Sequence, residues 1–407
     1  MPAHGSDDSD NSGVGPGKVR ELFINCGDSF CGVLLYRGAM SEPTSMNPPA
    51  AEWLEMLLSF LWEKRGTDLH LTAGSVPLAR VDGNLLVVPD QPVLKPADTE
   101  ALADVLLDDT DKETFTQRGD VDFAFGFDHL ARIRGSVYGQ RGSTTLALRM
   151  IPSRVPSMDE LGLPEAVQKM VDAPSGLILV TGPTGSGKST TMASMIDHIA
   201  INRFAHVLTI EDPIEYVFRH GQGAVNQREV GKDTESFARG LRSALREDPD
   251  VLMVGEMRDL ESVETVLTLA ETGHLVVATL HTNDTTQAVD RLVGVFPGRQ
   301  QEQARLQLSA SLVGVVYQRL IPRREGGLIA AYEILKGTIA VRNLIRENNT
   351  RQLRNAITMG QADGMQTLEM HLSQLVTDGT VDRDEAVHRS LYPKEIAKAP
   401  AAVPAGV

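Results

Sequence analysis

The nine residues GPTGSGKST at 182–190 constrain the fold of this chain more than any other stretch. They match the pattern G-x-x-x-x-G-K-[ST], they follow an apolar run at 177–180, and they open a helical pattern that continues to about Ile201. A strand, a glycine-rich loop and a helix in this order form a cradle of backbone N–H groups that binds phosphate at the positive helix end. The sequence therefore predicts a phosphate-binding loop.

The residues of this loop suggest a nucleotide as the ligand. Lys188 is expected to reach the β- and γ-phosphates, and the Ser189 hydroxyl to ligate Mg²⁺. The predicted cofactors are therefore ATP and Mg²⁺, and a chance glycine-rich turn is the alternative. The predicted nucleotide-binding residues are Gly182, Pro183, Thr184, Gly185, Ser186, Gly187, Lys188, Ser189 and Thr190. The loop alone predicts binding but not hydrolysis.

Apolar runs of strand length alternate with helical patterns beyond Gly176. The runs lie at 177–180, 207–210, 251–254 and 275–280. Continuous apolar runs indicate strands that are buried on both faces, so we expect a mainly parallel sheet flanked by helices. Asp233 and Asp259 are the predicted N-caps of two of these helices. From Gln300 to about Arg389 the chain is predicted to be mostly helical, with one strand-like run, GGLIAAYEIL.

The preceding hundred residues predict a smaller α+β domain. An amphipathic helix around Trp53 to Trp62 is followed by five short strand-like runs and a helical pattern at 97–107. A proline-rich segment after it predicts a semi-rigid linker. The predicted divisions are a disordered extension at 1–50, the α+β domain at 51–151, the linker at 152–175, the α/β core at 176–335, a helical region at 336–393 and a disordered tail at 394–407.

Composition narrows the classes of partner and compartment. With 39 basic and 54 acidic residues the formal charge is −15, which disfavours nucleic acid as a partner. No apolar run approaches the length of a membrane-spanning helix, and residues 1–17 lack a signal-peptide core, so we expect a cytoplasmic protein without direct membrane insertion. Cys26 and Cys31 are too few for a disulfide framework or a four-cysteine zinc site, although a redox pair stays open. Met46 is an alternative start.

Acidic residues follow the strand predicted at 207–210. Glu211, Asp212 and Glu215 lie at its carboxyl end, where parallel strands place residues beside the ligand. Three carboxylates at one strand end are costly without a positive partner, and Mg²⁺ or an arginine is the natural candidate. A solvated acidic loop is the alternative.

Two histidines flank the strand predicted at 275–280. His281 follows its carboxyl end, where it could contact a γ-phosphate, whereas a structural role is the alternative. His274 precedes the strand and could belong to the site or complement the end of the preceding helix.

The stretch DPDVLMVGEMRD raises the question of hydrolysis. Nucleotide hydrolases commonly end this strand in Asp-Glu, but here Gly255 precedes Glu256. The chain could be a hydrolase with a different metal arrangement, an inactive one, or no hydrolase. We expect Glu256 to handle the attacking water and one carboxylate of the acidic cluster to approach Ser189 in place of the missing aspartate.

Arginines form the last group of candidates. Arg242 and Arg246 share a helix face, Arg258 follows the glycine–glutamate pair, and Arg134 and Arg149 lie in the α+β domain. Arginines that face a phosphate site supply transition-state charge, often from a neighbouring subunit. Surface arginines that balance an acidic chain are the alternative.

Together these motifs resemble the secretion and type IV pilus motor ATPases, most closely the pilus retraction branch. The similar stretches run from about Trp53 to Tyr392. They are GTDLHLTAGSVPLARVDGNL, GPTGSGKSTT, the acidic box TIEDPIEYV, LREDPDVLMVGEMRD, the histidine box TGHLVVATLHTNDTTQAVDRL, and the C-terminal AVRNLIREN and GMQTLEMHL. The four-cysteine zinc module usual in the assembly and export branches is absent from the sequence.

The resemblance implies a ring of six subunits, each with a PAS-like N-terminal domain and a RecA-like P-loop ATPase domain, with nucleotide between them. It implies docking on an inner-membrane pilus platform protein at the inner face of the cell membrane, and leaves open a second pilus ATPase as partner. The implied site residues are Glu256 as catalytic glutamate, Glu211 and Glu215 of the acidic box, His274 and His281 of the histidine box, Arg134 and Arg149 near the phosphates, and Arg242, Arg246 and Arg258 as charged core positions.

Three functions follow from the sequence. The first is a motor that retracts pili, the second an accessory retraction or secretion motor, and the third a nucleotide-gated scaffold with little turnover. The AVRNLIREN helix is the candidate coupling surface, although its apolar side could equally be core.

Overall fold

The computed structural model describes residues 49–396 apart from Asp82, His129 and Arg258, and without the side chain of Pro152. The predictions for most of the N-terminal extension and of the tail, for both cysteines and for Arg258 therefore lie outside the described residues. Within the described part of the chain, no helix combines the length and the apolar character needed to cross a bilayer.

The N-terminal part is an antiparallel sheet of six strands covered by helices, in the order β3-β2-β1-β6-β5-β4. Its elements are α1 (Ala50–Glu63), β1 (Asp68–Thr72), β2 (Leu78–Val81), β3 (Asn84–Val87), α2 (Pro96–Leu106), α3 (Asp109–Arg118), β4 (Asp120–Phe127), β5 (Ala131–Gln140) and β6 (Ser143–Pro152). The amphipathic helix and the strand-like runs appear as predicted. The sequence pattern missed α3, because this helix buries none of its residues and so lacks an apolar period.

The second sheet has seven strands in the order β13-β12-β7-β11-β10-β8-β9, all parallel except for the antiparallel β12–β13 pair. Its strands are β7 (Gly176–Thr181), β8 (His206–Glu211), β9 (Ala224–Glu229), β10 (Val251–Val254), β11 (Leu275–Leu280), β12 (Leu312–Pro322) and β13 (Leu328–Lys336). The four apolar runs predicted as parallel strands are therefore strands, and their carboxyl ends meet at one edge of the sheet.

Helices cover both faces of this sheet and continue into the C-terminal part. They are α4 (Glu165–Val171), α5 (Lys188–Asn202), α6 (Phe237–Ala244), α7 (Leu260–Glu271), α8 (Thr285–Gly294), α9 (Gln301–Ser311), α10 (Ile339–Arg346), α11 (Leu353–Met359), α12 (Leu368–Thr377) and α13 (Arg383–Arg389). One apolar layer contains α6 to α11, and the other contains α4 and α5.

The division at the linker stays a prediction; its residues include α4, whose Val167 and Val171 are fully buried against the parallel sheet. Two other predictions about these elements were wrong. The mostly helical region after Gln300 contains the eleven-residue strand β12, because a continuous apolar run does not distinguish a helix from a buried strand. Ser236, not Asp233, caps α6, accepting a hydrogen bond from the backbone of the third residue of the helix.

Candidate active site

The phosphate loop leaves β7 and enters α5 through glycines that adopt left-handed conformations. Gly187, at the N-cap of α5, has φ +85°, and Gly182 and Gly185 also have positive φ. Residues with a Cβ are strained in this region, so the glycines let the loop turn its N–H groups inward. Lys188 therefore begins the helix at the carboxyl edge of the sheet.

Strand β12 supports the loop from behind. Gln318, which is buried, donates its Nε2–H to the carbonyl of Ser186 at 2.6 Å. A Cβ on Gly182 would lie 2.4 Å from the Gln318 carbonyl oxygen, so the loop and the strand are in close contact. The sequence interpretation missed Gln318 because it missed β12. The signal was a single glutamine inside the apolar run VGVVYQRLI.

His281 connects the loop lysine to the predicted catalytic glutamate. Its Nδ1 lies 3.4 Å from Lys188 Nζ, and its Nε2 lies 3.4 Å from Glu256 Oε1. Lys188 also donates to the carbonyls of Gly182 and Pro183, at 3.1 and 3.0 Å. Side chains from the ends of β10 and β11 and from the start of α5 therefore form one polar cluster.

Two carboxylates lie near enough to Lys188 to influence its pKa. Burial lowers the pKa of Lys188, and the negative charges of Glu256 and Glu215 partly offset this effect. Ser186 Oγ and Thr181 Oγ1 are buried at the loop without a hydrogen-bond partner among the described residues. A buried lysine and buried hydroxyls at this position fit a phosphate ligand.

Glu211, the first carboxylate of the acidic box, is a buried residue at the carboxyl end of β8. Glu211 is 4% exposed and accepts hydrogen bonds from Thr209 Oγ1 at 2.7 Å, Gln227 Nε2 at 3.1 Å and the Glu215 amide at 3.4 Å. Burial raises its pKa to about 7, although these three donors oppose the shift. Glu211 therefore orders the segment that carries Glu215.

The acidic box also contacts the phosphate-loop helix. The hydroxyls of Tyr216 and Thr190 lie 3.0 Å apart, and Glu215 is close enough to Lys188 to raise its pKa. These contacts place Glu215 beside the first turn of α5, where Ser189 lies. The approach of a carboxylate to Ser189 itself stays a prediction.

Gly255 is explained by the packing of the strand ends. A Cβ there would lie 3.3 Å from the Ile210 carbonyl oxygen and 3.4 Å from Glu211 Cα. The Gly255 amide donates to that same carbonyl at 2.9 Å, and its own carbonyl accepts from Thr279 Oγ1 at 2.5 Å. A side chain at Gly255 would therefore need the neighbouring strand end to shift by a few tenths of an ångström, and this packing favours glycine here.

His274 lies at the other edge of the sheet. Its carbonyl accepts from the Gly176 amide at 2.9 Å, where β7 begins, and its Nδ1 lies 3.0 Å from the Leu269 carbonyl. The six residues of β11 separate it from His281 by about 20 Å. The structure does not bring His274 to the phosphate loop of its own subunit, and it complements the end of α7 instead.

Three of the predicted arginines contact groups of their own domains. Arg242 pairs with Glu261 at 2.5 Å, and Arg246 donates to the Arg242 carbonyl at 3.3 Å. Arg149 pairs with Asp68 at 2.8 Å and lies opposite Arg134 in the β5–β6 register. A role for these residues at the phosphates stays a prediction.

Arg132 makes a contact between the two sheets that the sequence did not indicate. Its Nη2 lies 3.6 Å from Oε2 of Glu229, and the same carboxylate oxygen accepts from the Ile214 amide at 3.1 Å. This contact joins the N-terminal sheet to the acidic-box segment. It escaped the sequence interpretation because β9, which ends in Glu229, was not predicted.

A resident metal site built from protein ligands alone is not visible in the described residues, since they contain no cluster of three His, Cys, Asp or Glu side chains suited to a metal ion. Mg²⁺ bound with a nucleotide does not need one, because it takes most of its ligands from phosphates and water. The Ser189 hydroxyl and the nearby charges of Glu215 and Glu256 fit such an ion.

The family model described as "Type II/IV secretion system protein" matches residues 116–389. The chain belongs to this family. It is 46% identical over 338 residues to the type IV pilus retraction ATPase PilT of Pseudomonas aeruginosa, covering 83% of this chain and 98% of that protein. It is 37% identical over 334 residues to the type IV pilus ATPase PilU of the same organism, covering 82% and 87%.

A solved structure shows the same architecture. The crystal structure of the pilus retraction motor PilT with bound ADP matches with a TM-score of 0.76 and 47% identity, covering 84% of this chain and 98% of that one. The resemblance to the retraction branch and the predicted fold class, a RecA-like α/β domain with a smaller PAS-like α+β domain, are therefore confirmed.

Proposed function

We propose that this chain is a hexameric motor ATPase whose hydrolysis of ATP powers the retraction of type IV pili. The observation that carries the proposal is the joining of Lys188 and Glu256 through His281 at an intact phosphate loop. This site lies in a chain that aligns with 98% of a pilus retraction ATPase.

Binding begins at the phosphate loop. Its inward N–H groups and the N-terminus of α5 hold the phosphates, and Lys188 exchanges loop carbonyls for β- and γ-phosphate oxygens. The Ser189 hydroxyl would hold Mg²⁺, which neutralises phosphate charge when bound. Glu215 is the acidic-box residue that stands beside this position.

Hydrolysis depends on Glu256. Its carboxylate orients and polarises a water for attack on the γ-phosphate, while Lys188 stabilises the charge that develops. His281, between these two side chains, is placed to respond to the presence of the γ-phosphate. Arg134 and Arg149 are proposed to add positive charge from the N-terminal domain across a subunit boundary.

Coupling to the pilus machine is proposed to involve α10, which carries the AVRNLIREN motif. Val341 and Ile345 of this helix are fully buried, so most of its apolar side is core, whereas Ile339 at its start is 81% exposed. The proposed partners are the other subunits of the ring and a platform protein at the inner face of the membrane. A second pilus ATPase is a further candidate partner, since PilU is a relative.

An accessory retraction motor is the second candidate function, and the similarity to PilU supports it. The higher identity to PilT favours the main motor. A scaffold with little turnover is opposed by the intact Lys188, Ser189 and Glu256.

The test combines an assay with a phenotype. We expect the purified chain to hydrolyse ATP in the presence of Mg²⁺, and Glu256→Gln to lower the steady-state rate at least about 100-fold. Glu264→Gln, an exposed substitution on α7, is the matched control and should keep the wild-type rate. A wild-type rate no higher than that of Glu256→Gln would refute the motor.

A deletion strain separates the two motor roles. We expect it to lose twitching motility, and expression of the wild-type chain but not of Glu256→Gln to restore it. Retained retraction in the deletion strain would instead support the accessory role.

A further inference from the structure

The backbone of His281 is tied to the start of α8. Only three residues separate it from this helix, whose N-cap Asp284 accepts from the Gln287 amide at 2.7 Å. Arg291, from the same helix, donates to the His281 carbonyl at 2.6 Å. The position of the imidazole therefore depends on how the first turn of α8 is held.

A buried carboxylate from β13 holds that turn. Glu333 is 4% exposed, and its Oε1 accepts from both the amide and the hydroxyl of Thr285, at 3.0 and 2.8 Å. Thr285 is itself fully buried and is the first residue of α8. A carboxylate at a helix N-terminus gains both charge-assisted hydrogen bonds and the favourable helix dipole.

Arg354 supplies the counter-charge and joins this carboxylate to the C-terminal part. Its Nη1 lies 3.7 Å from Glu333 Oε2, and its Nη2 lies 2.9 Å from Glu369 and 2.7 Å from Glu395. Its guanidinium also stacks on the Tyr392 ring, 3.7 Å from the centroid. One further contact reinforces the connection, because Glu333 Oε2 accepts a hydrogen bond from the backbone amide at the start of α12, at 3.4 Å.

We propose that Glu333 is a positioning residue of the ATPase site. It fixes the first residue of α8, and through that turn it holds His281 between Lys188 and Glu256. Arg354 makes the C-terminal helices part of the same support. The proposal rests on the proposed ATPase function, and it adds a residue that lies far from the phosphate loop in sequence.

Glu369 provides a matched control for Glu333. Both are buried glutamates that pair with Arg354, and only Glu333 contacts the first residue of α8. We expect Glu333→Gln to lower kcat roughly tenfold, because small displacements of catalytic groups are costly, while ADP affinity stays within about twofold. Glu369→Gln should lower the melting temperature to a similar extent but keep kcat within about twofold of wild type.

Thr285→Val gives a milder second variant. It removes the hydroxyl donor to Glu333 and keeps the shape and the amide donor, so we expect kcat to fall about threefold with unchanged ADP affinity. This variant decides the matter if Glu333→Gln does not fold. Wild-type kcat in Thr285→Val and Glu333→Gln, or equal losses in Glu333→Gln and Glu369→Gln, would overturn the proposal.

Hydrogen exchange separates this proposal from the proposed function. We expect the amides of residues 281–286 to exchange faster in Glu333→Gln than in wild type, and at the wild-type rate in Glu369→Gln. A wild-type chain without ATPase activity would refute the function, yet the exchange result would still test the positioning. Unchanged exchange at 281–286 in Glu333→Gln would refute the positioning alone.

Discussion

The two edges of the parallel sheet carry similar residues and use them differently. At the amino edge, His206 and His274 each bond to a nearby backbone carbonyl, and the His206 amide donates to Asp250 at 2.8 Å. At the carboxyl edge, His281 lies instead between the side chains of Lys188 and Glu256. The Nδ1 atoms of the two histidines at the amino edge thus bond to local backbone carbonyls, whereas the imidazole at the carboxyl edge lies between two charged side chains.

The difference follows from the direction of the strands. Parallel strands lead into helices at the carboxyl edge, so the positive helix ends and the phosphate loop gather there. The amino edge receives helix C-termini, and the Leu269 carbonyl of α7 bonds there to the His274 ring. Histidine therefore lies beside the phosphate loop at the carboxyl edge, whereas His274 complements a helix end at the amino edge.

The largest expected effect comes from removing the lysine of the carboxyl edge. Lys188→Met takes away the only ammonium that contacts the loop carbonyls of Gly182 and Pro183 among the described residues. We expect nucleotide affinity to fall at least about 100-fold. Fluorescent-nucleotide titration measures it, with Lys169→Met on α4 as control. Wild-type affinity in Lys188→Met would contradict the site.

Paired histidine variants compare the edges directly. We expect His281→Ala to lower kcat about tenfold or more, because it removes the group between Lys188 and Glu256. His274→Ala should leave the ADP affinity within about twofold, since His274 is remote from its own phosphate loop. Steady-state kinetics and ADP titration measure these effects. Wild-type kcat in His281→Ala, or ADP binding in His274→Ala weakened well beyond that limit, would contradict the comparison.

Replacing Gly255 by aspartate, the residue that nucleotide hydrolases commonly have at this position, tests the packing at the carboxyl edge. Gly255→Asp places a Cβ 3.3 Å from the Ile210 carbonyl oxygen, so we expect a loss of about 2 kcal/mol in the free energy of unfolding. Chemical denaturation measures it, with Gly294→Asp, where a Cβ meets no atom within 4 Å, as the control. A more stable and more active Gly255→Asp would mean that the glycine is a lost aspartate.

The smallest expected effect is a pH dependence from Glu211. Burial raises the pKa of Glu211 from 4.5 to about 7 in the folded state, so the folded protein holds this proton more tightly than the unfolded chain. The stability it contributes is complete below pH 4.5 and is lost as the pH rises through about 7. Relative to Glu211→Gln, the wild type should lose about 1 kcal/mol between pH 6 and 8. Parallel stability curves for the two proteins would contradict this.

Local patterns were enough to predict the phosphate loop and the strand ends around it. Each of these features depends on residues that are adjacent in the sequence: the loop motif, the four apolar runs and the Asp259 cap of α7. The structure confirms this cap. Gln318 was missed because its strand resembles a helix in apolar pattern. The contact of Glu333 with Thr285 joins residues 48 apart in sequence, and only the packed structure brings them together.

The separation of His274 from the site shows the same limit. Both histidines flank one strand. The residue pattern left the role of His274 open, and the resemblance to a histidine box implied that both belong to the site. The strand itself, six residues long, holds them at opposite edges. Conversely, the sequence left open whether Gly255 marks a different metal arrangement or an inactive site, and only the structure shows how closely a Cβ there would approach Ile210.

Single-turnover hydrolysis tests the central claim most directly, because it isolates the chemical step at Glu256. The chain is mixed in excess with radiolabelled ATP and Mg²⁺, and the conversion of bound ATP to ADP is followed in time. We predict that the wild type converts its bound ATP and that Glu256→Gln binds ATP with similar affinity yet retains it unhydrolysed. Hydrolysis by Glu256→Gln at the wild-type rate would show that the carboxyl edge described above is not where the chemistry occurs.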